Sequence, residues 1–308
     1  MKVLVVGGAG YVGGAVVDLL SQGLYDIHVY DSLLYEEAYR REVPFTRGDV
    51  RDWDRLGPLV QEADVIVWLA AIVGDGACQV SATEARSVNH ASVETLSQST
   101  DARIIFMSTC SVYGAQQGVL TEESPTNPLS VYAETKVEAE AALANSNALV
   151  FRLGTLFGVG DLYSRIRLDL VVNTLVARAH TRGALTVFGG DQFRPLLHVK
   201  DVARQIEGAL TSEVTGVFNL GRQNIRIIDL AHQVRSHFPD VEMEVRDIPF
   251  EDQRNYRVRW DHAEEELGFE PHFTVDDGIL EVKQLLLDRR IDVDNPRYSN
   301  CGFLVSKV

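Results

Sequence analysis

Tyr132 and Lys136 stand four residues apart in the alanine- and glutamate-rich run from Val131 to Asn145, which predicts a helix. Residues at i and i+4 share a helix face, so the phenol and the ammonium are neighbours. A free tyrosine titrates near a pKa of about 10, too high for a base at neutral pH, and an adjacent ammonium favours the phenolate. The pair is therefore a candidate general base. A Tyr and Lys on an open surface with no partnership is the bland alternative, although the chain holds only this one Tyr-x-x-x-Lys. Before the helix, Asn127-Pro128-Leu129-Ser130 punctuates a turn, with Ser130 as N-cap. Earlier still, Arg103 to Met107 predicts a buried strand, and it delivers Thr109, whose hydroxyl can hold a substrate hydroxyl beside the phenol.

The elements upstream supply a partner for such a base. Val3 to Val6 is an apolar β-branched run, predicted as a strand buried on both faces. Gly7-Gly8-Ala9-Gly10-Tyr11-Val12-Gly13 follows, then an apolar helix to about Leu20. Glycines at 7, 10 and 13 allow a tight turn and close approach to a pyrophosphate, which the helix N-terminus then meets with N–H groups and positive dipole. A second strand, Ile27 to Tyr30, ends in Asp31, at the distance expected of a carboxylate on a ribose 2′-hydroxyl. The same charge repels a 2′-phosphate and no Arg or Lys follows closely, so NAD is favoured over NADP. Phe45 to Val50 predicts a third strand, with Asp49 placed to accept an adenine amino group or simply to solvate a turn. Ala63 to Leu69 predicts a fourth, followed by the small residues Ala70 and Ala71, and Thr83 to Thr95 a helix carrying Asn89. Strands alternating with helices predict an α/β fold with a doubly wound parallel sheet, whose ligands bind at the carboxyl ends of the strands. Gly7, Asp31, Ala70 and Thr109 all fall there.

The whole chain bounds the partners. With 308 residues it is long enough for one large domain or two lobes. A net charge of −15 argues against nucleic acid or an anionic membrane as partner. Cys78, Cys110 and Cys301 are odd in number and lack metal spacing, which fits free thiols, a reducing compartment and no metal site. The opening apolar run is too short for a signal peptide and no long apolar span follows, so a cytoplasmic location is expected.

These residues resemble the extended short-chain dehydrogenase/reductase family. The glycine turn, Leu69-Ala70-Ala71, Ser108-Thr109 with Val112-Tyr113-Gly114, and Tyr132-x-x-x-Lys136 carry the likeness. Phe151 to Gly158, Phe193 to Val202, Gly216 to Gly221 and Leu267 to Pro271 extend it over nearly the whole chain. More narrowly, the pattern is similar to NAD-dependent nucleotide-sugar epimerases and dehydratases. Arg165 to Asn173, Ala71 to Gly74 and Asp252 to Tyr256 are similar to a bacterial subgroup of epimerases and GDP-heptose 4-dehydrogenases of surface-polysaccharide pathways.

The resemblance implies roles residue by residue. Tyr132 takes a proton from a sugar hydroxyl, usually at C4, and hydride passes from that carbon to the nicotinamide. Lys136 binds the nicotinamide ribose and depresses the tyrosine, and Thr109 bonds the reacting hydroxyl. Gly7, Gly10, Tyr11, Val12, Gly13, Asp31, Ser32, Asp49, Val50, Leu69, Ala70, Ala71, Asn89 and Ser108 line the NAD site with the Tyr/Lys pair. Val73, Thr109, Thr155, Asn173, Arg194 and Arg254 serve a nucleotide-diphosphate sugar, the arginines through bidentate phosphate contact, with Arg165 and Arg167 as further basic candidates. Thr155 stands where the family often has Asn.

Two departures narrow the chemistry. The 4,6-dehydratases carry Asp-Glu directly after the catalytic Thr, where this chain has Cys110 and Ser111. The sugar decarboxylases and double epimerase/reductases place Glu or Cys two residues past that Thr, where this chain has Ser111; Cys110 sits one place off and reads as packing. Hydride transfer without elimination remains, as a 4-epimerase or as a 4-dehydrogenase releasing the keto sugar. A nucleotide-sensing regulator of the same fold is the other class, and such proteins tend to lack the Tyr/Lys pair. The expected architecture is a Rossmann half over 1–160, rejoined by 194–221. A smaller C-terminal α/β substrate lobe takes 161–193 and 222–290, and a surface tail 291–308. The family commonly dimerises through helices at about 83–97 and 131–146.

Overall fold

A computed structural model describes residues 1–163, 165–246 and 254–307. Asp252 and Gln253, part of the quoted resemblance, lie outside the described residues. Seven parallel strands form the central sheet, in the order Gly216–Leu220, Ala148–Leu153, Arg103–Thr109, Val65–Trp68, Lys2–Val6, Asp26–Asp31, Phe45–Arg47. The middle strands are buried along their length because helices cover both faces. Helices Tyr11–Leu20 and Val199–Ala209 pack on one face around Val5, Val16, Ile105 and Phe151. Trp53–Glu62, Ser92–Ser99 and Val131–Leu143 cover the other around Ile66, Trp68, Phe106 and Leu143. Trp68 and Phe106 are fully buried, and truncating either to Ala would cost about 3–5 kcal/mol.

Most predicted elements form, and the differences have physical reasons. The third strand stops at Arg47, because Gly48 turns the chain and Tyr30 donates its hydroxyl to the Asp49 carbonyl at 2.8 Å. The helix expected over 83–95 is interrupted by a π turn, Ser87–Ala91, which turns Asn89 inward. The segment expected to rejoin the main sheet does so only at Gly216–Leu220. Phe193–His198 instead pairs parallel with Thr155–Phe157 and antiparallel with Gln223–Arg226. This three-stranded sheet leads into the lobe, where Val171–Arg182, Ile227–Ser236 and Val275–Leu287 enclose a second core.

The tail is not a surface extension. Asn300–Val305 forms a helix packed against Asp75–Val80, close enough that a Cβ on Gly76 would sit 3.1 Å from the Cys301 sulfur. Among the described residues no helix is long and apolar enough to cross a membrane, and no cluster of His, Cys, Asp or Glu is placed to hold a metal. All three cysteines are free.

Candidate active site

One cleft of about 1700 Å³ runs along the carboxyl ends of the sheet strands and under the lobe. At one end Gly7 takes φ +90°, which L side chains rarely adopt, and a Cβ there would stand 2.5 Å from the Ala70 nitrogen. A Cβ on Gly13 would run into the Gly7 carbonyl. Helix Tyr11–Leu20 therefore starts hard against the turn, with Gly10 as N-cap and no side-chain cap over its first N–H groups. That is the cradle a pyrophosphate needs. Asp31 closes this end. Its carboxylate accepts from Ala9 N at 3.0 Å and Leu33 N at 2.7 Å, which leaves acceptor capacity for a ribose hydroxyl. Burial raises its pKa while those backbone donors oppose the rise. The turn and acid fit the dinucleotide expected from their spacing.

Midway, helix Val131–Leu143 brings up the candidate base. Ser130 caps it, accepting from Ala133 N at 3.2 Å, and also donates to Asp75 at 2.6 Å. Lys136 is buried, donates to the Met107 carbonyl at 2.7 Å and lies 4.5 Å from the Phe106 ring centroid. Burial lowers its pKa to about 8. Tyr132 is buried one helical turn before it, and the Thr109 side chain acts on its hydroxyl in the direction of the phenolate. The expected lowering of the phenol does not hold in the chain by itself. Burial pushes the pKa well above the usual tyrosine value, Cys78 and Asp75 add to this, and the Arg167 charge and the Thr109 contact oppose it. Desolvation of the phenolate outweighs its charged neighbours.

Thr109 also accepts from Ser111 N at 3.1 Å, which fixes its side chain. Cys110 is fully buried with its thiol on the Arg152 carbonyl at 3.2 Å, and burial raises its pKa to well above the usual thiol value, as a packing residue requires. Ser111 faces the cleft, 3.3 Å from both the Tyr256 hydroxyl and the Arg254 guanidinium. Neither residue is placed as an acid.

At the lobe side Arg194 donates to its own segment's Phe193 carbonyl at 2.8 Å and to that of Arg254, with its guanidinium 5.8 Å from the Tyr256 ring centroid. Arg254 pairs with Asp75 at 3.2 Å. Thr155 and Val73 line the cleft, as do Tyr11, Val12, Ser32, Val50, Leu69, Ala70 and Ala71.

Two of the expected site residues lie behind the cleft wall, and two line the cleft with their side chains engaged by neighbours. Asn89 lies behind the wall, where its amide exchanges bonds with Ile72 N at 2.7 Å and Ile72 O at 2.9 Å, bracing the loop after Ala71. Asn173 is fully buried and holds Gly158 N at 3.0 Å and the Arg167 carbonyl at 2.9 Å. Ser108 reaches the cleft, but its hydroxyl is given to Glu140, which also pairs with buried Arg152 at 2.7 Å. The Asp49 carboxylate lines the cleft but is held by Arg51 in a fork of 2.8 and 2.6 Å, which lowers its pKa.

Sequence reasoning missed other cleft residues. Arg47 stands in register with Asp31 on the neighbouring strand. Asp75 joins Ser130 to Arg254. Asn300, Cys301, Phe303 and Leu304 bring the C-terminal helix to the wall. The pairing of Arg47 with Asp31 follows from parallel register and is in principle legible. The return of the C-terminus has no local signal.

The model of the NAD dependent epimerase/dehydratase family matches residues 3–221, more than half of the chain. The chain is 28% identical to a UDP-glucose 4-epimerase of Corynebacterium glutamicum, over 89% of this chain and 92% of that one. It is 27% identical to a dTDP-glucose 4,6-dehydratase of Streptomyces niveus, over 94% of each. In fold it resembles the crystal structure of a UDP-glucose 4-epimerase from Thermotoga maritima, with a TM-score of 0.83, 22% identity and coverage of 94% of this chain and all of that one. The chain belongs to the NAD-dependent epimerase/dehydratase family. It is thus an enzyme of the nucleotide-sugar class whose cofactor is NAD.

Proposed function

We propose that this chain oxidises C4 of a nucleotide-diphosphate sugar reversibly and returns the carbon with inverted configuration, as a nucleotide-sugar 4-epimerase. When bound, NAD supplies the acceptor for the hydrogen leaving carbon and a positively charged ring that favours the nearby phenolate. Tyr132 removes the hydroxyl proton and later gives it back. Thr109, fixed by Ser111 N, orients that hydroxyl. Lys136 is anchored on the Met107 carbonyl, and its ammonium would hold the nicotinamide ribose when NAD is bound. Arg194 and Arg254 carry the diphosphate.

The observation that favours epimerisation is the pair after Thr109. Loss of water across C5 and C6 needs a further acid there, and Cys110 is turned into the core while Ser111 is engaged by Tyr256 and Arg254. The reading extends to a cytoplasmic enzyme of polysaccharide precursors. It also takes a second copy of the chain as partner, through the helical face where Arg86 pairs with Glu134 and Glu138.

The test is NMR product analysis with UDP-, dTDP-, GDP- and CDP-sugars. Inversion at C4 with NAD unchanged is expected. Accumulating NADH and a keto sugar would replace the epimerase with a 4-dehydrogenase. The Tyr132→Phe variant is expected to lose turnover and keep NAD; normal turnover in it would sink the mechanism.

A further inference from the structure

We propose that Arg167 is a substrate-binding group at the sugar end of the cleft, and that Asn300, from the C-terminal helix, is the residue that positions it. This rests on the nucleotide-sugar reading above.

Arg167 lines the same cleft as Tyr132, and its Nη2 would be 3.9 Å from a Cβ on Gly74. Its Nε and Nη2 both bond Asp169, at 3.0 Å each, which presents the guanidinium as a fixed fork. Its Nη1 has no hydrogen-bond partner among the described residues and is not sealed from solvent. The Arg167 charge acts on the Tyr132 phenol, and the carbon that Tyr132 serves must lie against that phenol, so a donor here meets the sugar itself. Arg194 and Arg254 come from a different wall, the strands Phe193–His198 and Asn255–Val258 and their flanks. Asp169 already neutralises Arg167. The chemistry presented is therefore a directed donor for a neutral hydroxyl or keto oxygen, rather than an unpaired cation seeking a carboxylate.

Asn300 is 3% exposed and joins three pieces of this wall. Its backbone N–H donates to Asp169 Oδ2 at 2.9 Å, behind the fork. Its side-chain amide donates to the Val73 carbonyl at 2.8 Å and accepts from Arg165. Arg165 lies 4.0 Å from the Tyr35 ring centroid and donates to the Arg297 carbonyl at 2.8 Å. Leu168 N donates to the Tyr298 carbonyl, also at 2.8 Å. Leu304 of the same helix packs against the cluster that contains Tyr132. A helix held at so many points, with one of its N–H groups on the counter-ion of a cleft arginine, fixes where that arginine points.

The experiment is calorimetry on the NAD-loaded chain in the Tyr132→Phe background, so that ligand binds without turnover. UDP-glucose and GDP-glucose are compared with UDP and GDP, and the affinity gained from the sugar is read by difference. Arg167→Met is expected to lower that gain about 10- to 100-fold, as loss of a charged donor does, with nucleoside diphosphate and NAD affinities unchanged. Asn300→Ala keeps the N–H on Asp169 but loses the side-chain bonds to Val73 and Arg165 that set where that N–H sits; it is expected to lower the gain in the same direction, and no further when added to Arg167→Met, because it acts through that residue. A sugar gain untouched in Arg167→Met overturns the proposal while leaving the nucleotide-sugar reading intact. Equal loss of nucleoside diphosphate and NAD binding in Asn300→Ala overturns its positioning role and makes it merely structural. Binding of no nucleotide sugar to the NAD-loaded chain removes the nucleotide-sugar reading, and this proposal with it.

Discussion

The Lys136 ammonium donates to the Met107 carbonyl at 2.7 Å, which ties the helix carrying Tyr132 to the strand carrying Thr109. The bond fixes a charge at the root of the cleft, where desolvation has lowered the ammonium to about 8. A group with that value loses its proton as pH rises through 8, and with it the support it gives a phenolate.

Turnover is therefore expected to fall above about pH 8 in the wild-type chain. In Lys136→Arg the guanidinium stays charged, so this alkaline limb should vanish, with kcat lowered about 10²-fold by the displaced charge. Rate profiles across the neutral and alkaline range decide it. An alkaline limb that survives in Lys136→Arg would assign it to another group.

Asp31 is the second point of control, because it holds the glycine turn through Ala9 N as well as facing the cleft. Asp31→Asn removes the charge and one acceptor. NAD affinity is expected to drop about tenfold or more, in line with loss of a charged hydrogen bond. Preference should move toward NADP, since Arg47 stands in register beside it. Titration of both cofactors against the variant measures this; an unchanged NAD-to-NADP ratio would remove Asp31 from cofactor choice.

The sheet and its ligand-binding edge are legible in the sequence because they rest on short-range rules. A β-branched run buried on both faces, a glycine turn and an acid-ended second strand all write themselves into neighbouring residues. Tyr132 and Lys136 are legible for the same reason, since four residues of helix fix their relation. Asn89 escapes such rules because a π turn rotates it inward, and a π turn leaves no pattern of its own. The direction of the phenol's pKa escapes them too, because burial depends on elements far away in sequence. The Asn300 bond to Val73 spans 227 residues, and no periodicity in the last turns of the chain announces it.

Glu281 links the lobe to the cofactor end, and its behaviour with pH follows from its partners. Its carboxylate accepts from Val159 N at 2.8 Å, from Lys200 at 2.6 Å and from His198 Nε2 at 2.9 Å. The other ring nitrogen of His198 accepts from Lys200 N at 3.1 Å, so Nε2 carries the proton given to Glu281. Val159 follows Gly158, whose carbonyl takes the Tyr11 hydroxyl at 2.7 Å at the start of the glycine helix. Burial works against the Glu281 carboxylate, but His198, Lys200 and Val159 N outweigh it and hold the pKa down to about 2. The folded value lies below the unfolded one of about 4.3, so the stabilisation is complete above about pH 5 and is lost as pH falls toward about 2. Discounted for its partial exposure, it amounts to about 1–2 kcal/mol. Glu281→Gln is expected to unfold at lower denaturant by that amount at neutral pH, with the gap to wild type narrowing steadily as pH is lowered toward about 3. Urea titrations across that range read the gap directly, and a gap that stays constant would show that the carboxylate's charge is not its source.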